Sequence, residues 1–120
     1  MKLPNYNDAV VELKKLTDYC LNDLHPLGKH KARIFRSVLG LSSDDAEELK
    51  TAILKAAIEC DAMPDEEDQY GKRYTVDFIF SKFEKKATIR SCWIVLNFEN
   101  FPRLTTCYVK IKPGAKLYEL

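Results

Sequence analysis

The stretch His25-Pro26-Leu27-Gly28-Lys29-His30-Lys31 gathers both histidines of the chain and two of its lysines. These residue types suit proton movement beside a phosphate. An imidazole with an ordinary pKa of about 6.5 can give and take a proton near neutrality. Pro26 biases His25 away from helical geometry and Gly28 relaxes the backbone, so residues 25–28 read as a turn at a helix entrance, where peptide N–H groups favour anions. Lys31 falls in the first turn of that helix; a cation there opposes the helix dipole, and a phosphate would offset the opposition. His25 is therefore the expected acid or base and Lys31 the expected phosphate cation. His30 is the second proton-transfer candidate, although neighbouring helical side chains point about 100° apart. The bland alternatives are that His25 caps the helix or stacks on an aromatic ring, and that Lys31 is a solvated or snorkelling lysine. Lys29 and Arg33 either lie on a solvated face or contact RNA backbone.

A second set comes from the later half of the chain. Arg90 interrupts an apolar run, where a charge is costly unless it is paired or faces solvent. It either pairs with Asp77 or reaches a phosphate. Thr105, Thr106 and Tyr108 carry hydroxyls that can bind a phosphate, though β propensity alone explains them. Tyr70 and Arg73 can stack a base or contact RNA, or can anchor a loop. Trp93 reads most simply as a core residue.

The elements that must position these groups follow from periodicity. Leu13, Leu16, Tyr19 and Cys20 suggest a first helix from about residue 9 or 12 to residue 21, with Ala9-Val10-Val11 as an alternative edge strand. Ala32, Ile34, Phe35, Val38 and Leu39 form the apolar face of a second helix ending at Gly40. Ser42 to Asp45 open a third, with a buried stripe of Ala46, Leu49, Ile53, Ala56, Ala57 and Cys60. Residues 61–68 read as an acidic loop or tether. The period then becomes two: strands are expected at Tyr74–Phe80, Ala87–Leu96 and Arg103–Lys112, with turns at 81–86 and 97–102. This order predicts an α+β fold, with about three N-terminal helices on one face of a C-terminal antiparallel sheet of three to four strands. The face left open would be lined by Thr75, Asp77, Arg90, Cys92, Thr105 and Cys107, or by their register partners.

Composition bounds the rest. A chain of 120 residues with 46% hydrophobic and 31% charged residues makes one domain, with a helical half (1–60), an acidic connector (61–68) and a sheet half (69–120). The formal net charge of +1 hides values of 0, −5 and +6 for those three segments, so affinity for polyanions would be local. The cysteines, Cys20, Cys60, Cys92 and Cys107, lack metal-ligand spacing and are expected to be buried free thiols, so neither a metal nor another cofactor is expected. No apolar run is long enough to span a bilayer and the first residues lack the core of a signal peptide, so a cytoplasmic protein without membrane contact is expected.

The pattern Leu21-x-x-x-His25-Pro26-x-Gly28-x-x-Lys31-Ala32-x-x-Phe35 followed by Leu39-Gly40 resembles a bacterial family described only as a domain of unknown function, found alone in cyanobacteria and as the C-terminal domain of polymorphic or contact-dependent toxins. The likeness continues through Gln69–Asp77, Ala87–Ile94 and Pro102–Tyr108 and covers nearly the whole chain. Toxins of this build are similar to the barnase, EndoU, colicin and RelE ribonucleases. The resemblance implies a metal-independent ribonuclease that acts as the toxin of a toxin–antitoxin pair, with a small cognate antitoxin or immunity protein as partner. The alternative is a non-catalytic module binding protein or nucleic acid. A phosphate site shared by His25, Lys31 and Arg90 requires their groups to converge on one cleft within roughly 10 Å, because proton transfer has a short reach.

Overall fold

A computed structural model describes residues 1–111 of the chain. The fold is α+β, with the helices N-terminal and the strands C-terminal. Helix α1 (Leu13–Lys15) runs straight into a π-helical turn (Leu16–Cys20), helix α2 spans Lys29–Leu39 and helix α3 spans Ala46–Glu59. Strands β1 (Ala62–Pro64), β2 (Gly71–Lys82), β3 (Lys85–Leu96) and β4 (Arg103–Val109) form one antiparallel sheet in the order β1-β2-β3-β4. No helix among the described residues is long and apolar enough to cross a membrane.

The start of α3 is locally encoded. The Asp45 carboxylate accepts from the Ser42 amide at 2.8 Å and the Ser42 hydroxyl accepts from the Asp44 amide, a capping box that satisfies otherwise orphaned donors. Helix α2 ends where Gly40 takes φ 67°, the left-handed conformation that glycine adopts without a Cβ penalty. The amides of Gly40 and Leu41 donate back to the carbonyls of Arg36 and Phe35.

One sheet face carries the core. Tyr74, Val76, Phe78 and Phe80 of β2 lie with Ile89, Trp93, Leu104, Cys107 and Val109, and α2 and α3 cover them with Phe35, Leu39, Leu49 and Ile53. Trp93 is fully buried as expected, and its indole N–H donates to the Ser91 hydroxyl at 2.9 Å, which in turn donates to the Val76 carbonyl. Buried polar groups of this kind need such partners.

Several boundaries differ from the sequence reading. The first helix breaks into one turn of α and one of π. Val10, upstream of it, instead forms a parallel bridge to Arg103, so the edge-strand alternative is partly realised. The acidic connector contributes β1, because Ala62 and Met63 pair with Val76 and Thr75. The turn between β2 and β3 shrinks to Phe83-Glu84. A β-bulge opposite Cys92 and Trp93 shifts β4 by one residue. Cys107, one of the two parities offered for the open face, is therefore buried in the core, while Thr106 opposite Cys92 and Tyr108 opposite Arg90 take the open side. All four cysteines are free thiols; Cys20 and Cys107 are buried, whereas Cys60 and Cys92 are only partly so. Lys112, the expected end of the last strand, lies outside the described residues.

Candidate functional site

The π-turn and the turn after it build one wall of a cleft. The wide turn is closed by the Leu21 amide donating to the Leu16 carbonyl at 2.8 Å. It sends consecutive residues to different places: Cys20 goes into the core, and Tyr19 lines the cleft. Single π-turns of this type recur at functional sites. The following turn, residues 25–28, packs directly against it. A Cβ on Gly28 would sit 2.3 Å from the Tyr19 carbonyl oxygen, so only glycine fits there.

That turn fixes the His25 ring. The amides of Leu27 and Gly28 both donate to His25 Nδ1, at 3.0 and 2.9 Å. The ring also stands edge-on to Tyr19, with centroids 4.8 Å apart. A nitrogen that accepts two N–H groups carries no hydrogen, so the neutral imidazole holds its proton on Nε2 and presents a donor. The bland reading of His25, a helix-entrance cap that packs on an aromatic ring, thus describes Nδ1 and one ring face. The Nε2 side is left for another partner.

Lys31 approaches from α2. Its ammonium donates to Thr106 Oγ1 at 3.1 Å and lies 5.2 Å from the Tyr19 ring centroid and 5.5 Å from that of Tyr108. Two aromatic faces and a hydroxyl hold this cation where the helix dipole disfavours it. Because Lys31 can only donate, Thr106 Oγ1 accepts, which leaves the hydroxyl hydrogen for Cys20 Sγ at 3.7 Å. Hydrogen bonds from the Cys107 thiol, then from its backbone and from Thr106, with Lys31 nearby, outweigh burial and bring the Cys20 thiol down to about 6. The Cys107 thiol, which donates to Cys20 and is buried, is pushed well up.

His25, Lys31, Tyr19, Thr105 and Thr106 line one open cleft of about 550 Å³. Glu12, Lys14, Lys15 and Asp18 complete it, and none of these four was singled out by the sequence reading. Tyr19 had appeared only as one residue of an apolar helical stripe, yet its ring touches both His25 and Lys31. The separation of imidazole and ammonium therefore cannot exceed the sum of two contacts of 4.8 and 5.2 Å. The adjacent pair Lys14-Lys15 beside that stripe was the one sequence signal for a charged wall.

Arg90 does not line this cleft, so the expected convergence of three groups on one phosphate is not met: only His25 and Lys31 share the cleft. Arg90 faces Asp77 across β2 and β3, with Nε to Oδ1 at 2.8 Å and a second fork bond at 2.9 Å, and Lys110 adds a longer contact to the same carboxylate. The structural ion pair foreseen as one of two options is present. The Arg90 guanidinium holds the Asp77 carboxyl below the usual range, and Asp77 first, then the Tyr108 oxygen, raises Arg90. Tyr108 thereby links the two sets, since its ring also meets Lys31.

The other candidates disperse. His30 and Arg33 are exposed on α2, and Lys29 is half-buried beside them; none of the three is part of the cleft lining. Tyr70 is exposed before β2, and Arg73 pairs with Asp68 at 2.6 Å; β3 lies between β2 and β4, and neither residue is part of the cleft lining. The Thr105 hydroxyl donates to the Cys92 carbonyl across the bulge. No group of three or more His, Cys, Asp or Glu side chains suited to hold a metal occurs among the described residues.

No curated protein and no solved structure is similar enough to report. A family model matches residues 2–111, nearly the whole chain, and by that match the chain belongs to the family described as a domain of unknown function, DUF6883.

Proposed function

We propose that this domain binds single-stranded RNA in the Tyr19 cleft and cleaves it without a metal, as the cytoplasmic toxin of a toxin–antitoxin pair neutralised by a small cognate partner. The observation that carries this reading is the shared seat of His25 and Lys31 on one tyrosine ring at the mouth of α2. A phosphodiester placed there meets the His25 Nε2–H and the two ammonium hydrogens that Lys31 does not spend on Thr106. Lys14 and Lys15, also in the cleft lining, add sequence-independent attraction for neighbouring phosphates.

In the proposed reaction the ribose 2′-oxygen attacks phosphorus and the bond to the leaving 5′-oxygen breaks. The products are a 2′,3′-cyclic phosphate and a 5′-hydroxyl. The 2′-hydroxyl proton passes to a cleft carboxylate, Glu12 or Asp18, and the leaving oxygen takes a proton from Lys31. His25 stabilises the charge on phosphorus as a fixed donor. Shuttling a proton through it would require Nδ1 to release the Leu27 and Gly28 amides. Arg90, filled by Asp77, supports the open face behind Tyr108.

A second reading, a module that binds nucleic acid or protein without cutting, draws on a specific pair of observations: the Nδ1 of His25 is committed to the turn, and the Arg90 fork is already occupied. Expression in a bacterial host separates the two. The ribonuclease arrests growth and fragments total RNA unless its partner is co-expressed, and Lys31→Ala relieves both effects while leaving a folded protein. Intact RNA in arrested cells, or equal toxicity of folded Lys31→Ala, contradicts cleavage at this cleft.

A further inference from the structure

We infer that the outer edge of β2, from Asp77 to Lys82, is a self-association edge at which two copies of this chain pair antiparallel across a two-fold axis, joining their sheets. The inference is independent of the ribonuclease reading. Strand β1 follows β2 only from Tyr74 to Val76, and among the described residues no bridge joins residues 77–82 to any strand but β3. Lys82 and Lys85 close a two-residue hairpin, so Phe80 and Phe78 exchange backbone bonds with β3. The intervening Ser81, Ile79 and Asp77 turn their N–H and C=O groups outward.

Natural sheets guard such edges with charges, prolines, bulges or covering segments. Among the described residues the usual guards are spent or missing. Asp77 is neutralised by Arg90 and Lys110, and Lys82 by Asp45 and Glu48 at 2.8 Å each. Residues 77–82 contain no proline. Ile79 is 64% exposed, and Phe83 at the tip is 95% exposed with φ 54°, a left-handed backbone that a bulky aromatic rarely adopts. The opposite edge shows what guarding looks like: Val10 bridges Arg103 of β4, and Lys31 and Cys20 converge on Thr106.

A second copy fits this edge because its own charges are cancelled internally. Antiparallel pairing then brings no uncompensated Asp77 or Lys82 against its counterpart and covers part of the exposed isoleucine of each chain. The contact is small, which places association in the weak class, at roughly 10 µM to 1 mM.

Sedimentation velocity over that concentration range tests the inference, combined with amide hydrogen exchange. A monomer–dimer equilibrium is expected, with protection of the Asp77, Ile79 and Ser81 amides rising with concentration. Ile79→Lys, which alters only an exposed side chain, and Ser81→Pro, which removes one outward N–H, should both give monomers with unchanged circular dichroism. Should Ser81→Pro disturb the hairpin, Ile79→Lys alone decides. A wild-type chain that stays monomeric throughout, a dimer that survives Ile79→Lys, or concentration-dependent protection elsewhere in place of these amides overturns the proposal.

Discussion

The Lys31 ammonium donates to Thr106 Oγ1 across 3.1 Å, tying the first turn of α2 to the edge strand β4. The same hydroxyl faces the buried sulfur of Cys20 at 3.7 Å, so a surface cation is anchored by a chain of polar atoms that ends in the core. Pre-positioning of this kind lowers the ordering cost of holding a phosphate.

Thr106→Val keeps the shape of that residue and removes the acceptor. Binding of a fluorescent single-stranded RNA should weaken, while Thr106→Ser, which restores the oxygen, should bind as wild type does. Lys31→Met should weaken binding further and reduce the slope of log affinity against log salt by about 1, the signature of one lost phosphate contact. Fluorescence anisotropy across a salt series measures both. An unchanged slope in Lys31→Met would place the phosphate elsewhere.

Gly28→Ala should destabilise the fold by about 1–3 kcal/mol, the usual cost of forcing a methyl into a packed site. The added carbon meets the Tyr19 carbonyl oxygen at 2.3 Å, so the turn must retreat from the π-turn and carry His25 with it. Urea denaturation gives the stability change. The cleft should lose RNA affinity even under conditions where the variant is fully folded.

Acid stability should depend on Asp77. The Arg90 fork lowers the folded pKa of this carboxyl below its unfolded value of about 3.9, so its contribution is fully present above that value and is lost as pH falls through the lower, folded one. Thermal unfolding of wild type should therefore drop over the acid range, and Asp77→Asn should flatten that part of the profile while lowering stability at neutral pH. Asp45, held down first by Lys82, behaves in the same sense. An Asp77→Asn profile parallel to wild type would contradict the assignment.

The sequence carried the elements that depend on local pattern. Gly40 marked the end of α2, Ser42 and the acids after it marked the start of α3, and the alternation around Val76 and Phe78 placed their core face. It failed where tertiary contacts override propensity. A π-turn has no period of its own to read, so Tyr19 and Cys20 looked like one stripe although they part company in the fold. The bulge opposite Trp93 is set by how β4 meets β3, and without it the parity of Thr106 and Cys107 cannot be assigned. Strand β1 was hidden because three residues ending in proline, among acids, carry too little pattern. At the site, His25 and Lys31 stood out by type and spacing, whereas Glu12, Lys14, Lys15 and Asp18 join them only through the tertiary packing that brings α1 and the π-turn to the same cleft.

The most direct test of the central claim uses purified protein and a 5′-labelled single-stranded RNA in excess chelator, comparing wild type with His25→Asn and Lys31→Ala. The asparagine carbonyl can accept the Leu27 and Gly28 amides in place of Nδ1, keeping the turn while deleting the Nε2 donor. The account predicts that wild type yields products ending in 2′,3′-cyclic phosphate, that folded His25→Asn is slowed by about 10²–10³-fold as for a lost transition-state donor, and that Lys31→Ala is inactive. Wild-type cleavage matched by both folded variants, or no cleavage of any RNA by wild type, would contradict it.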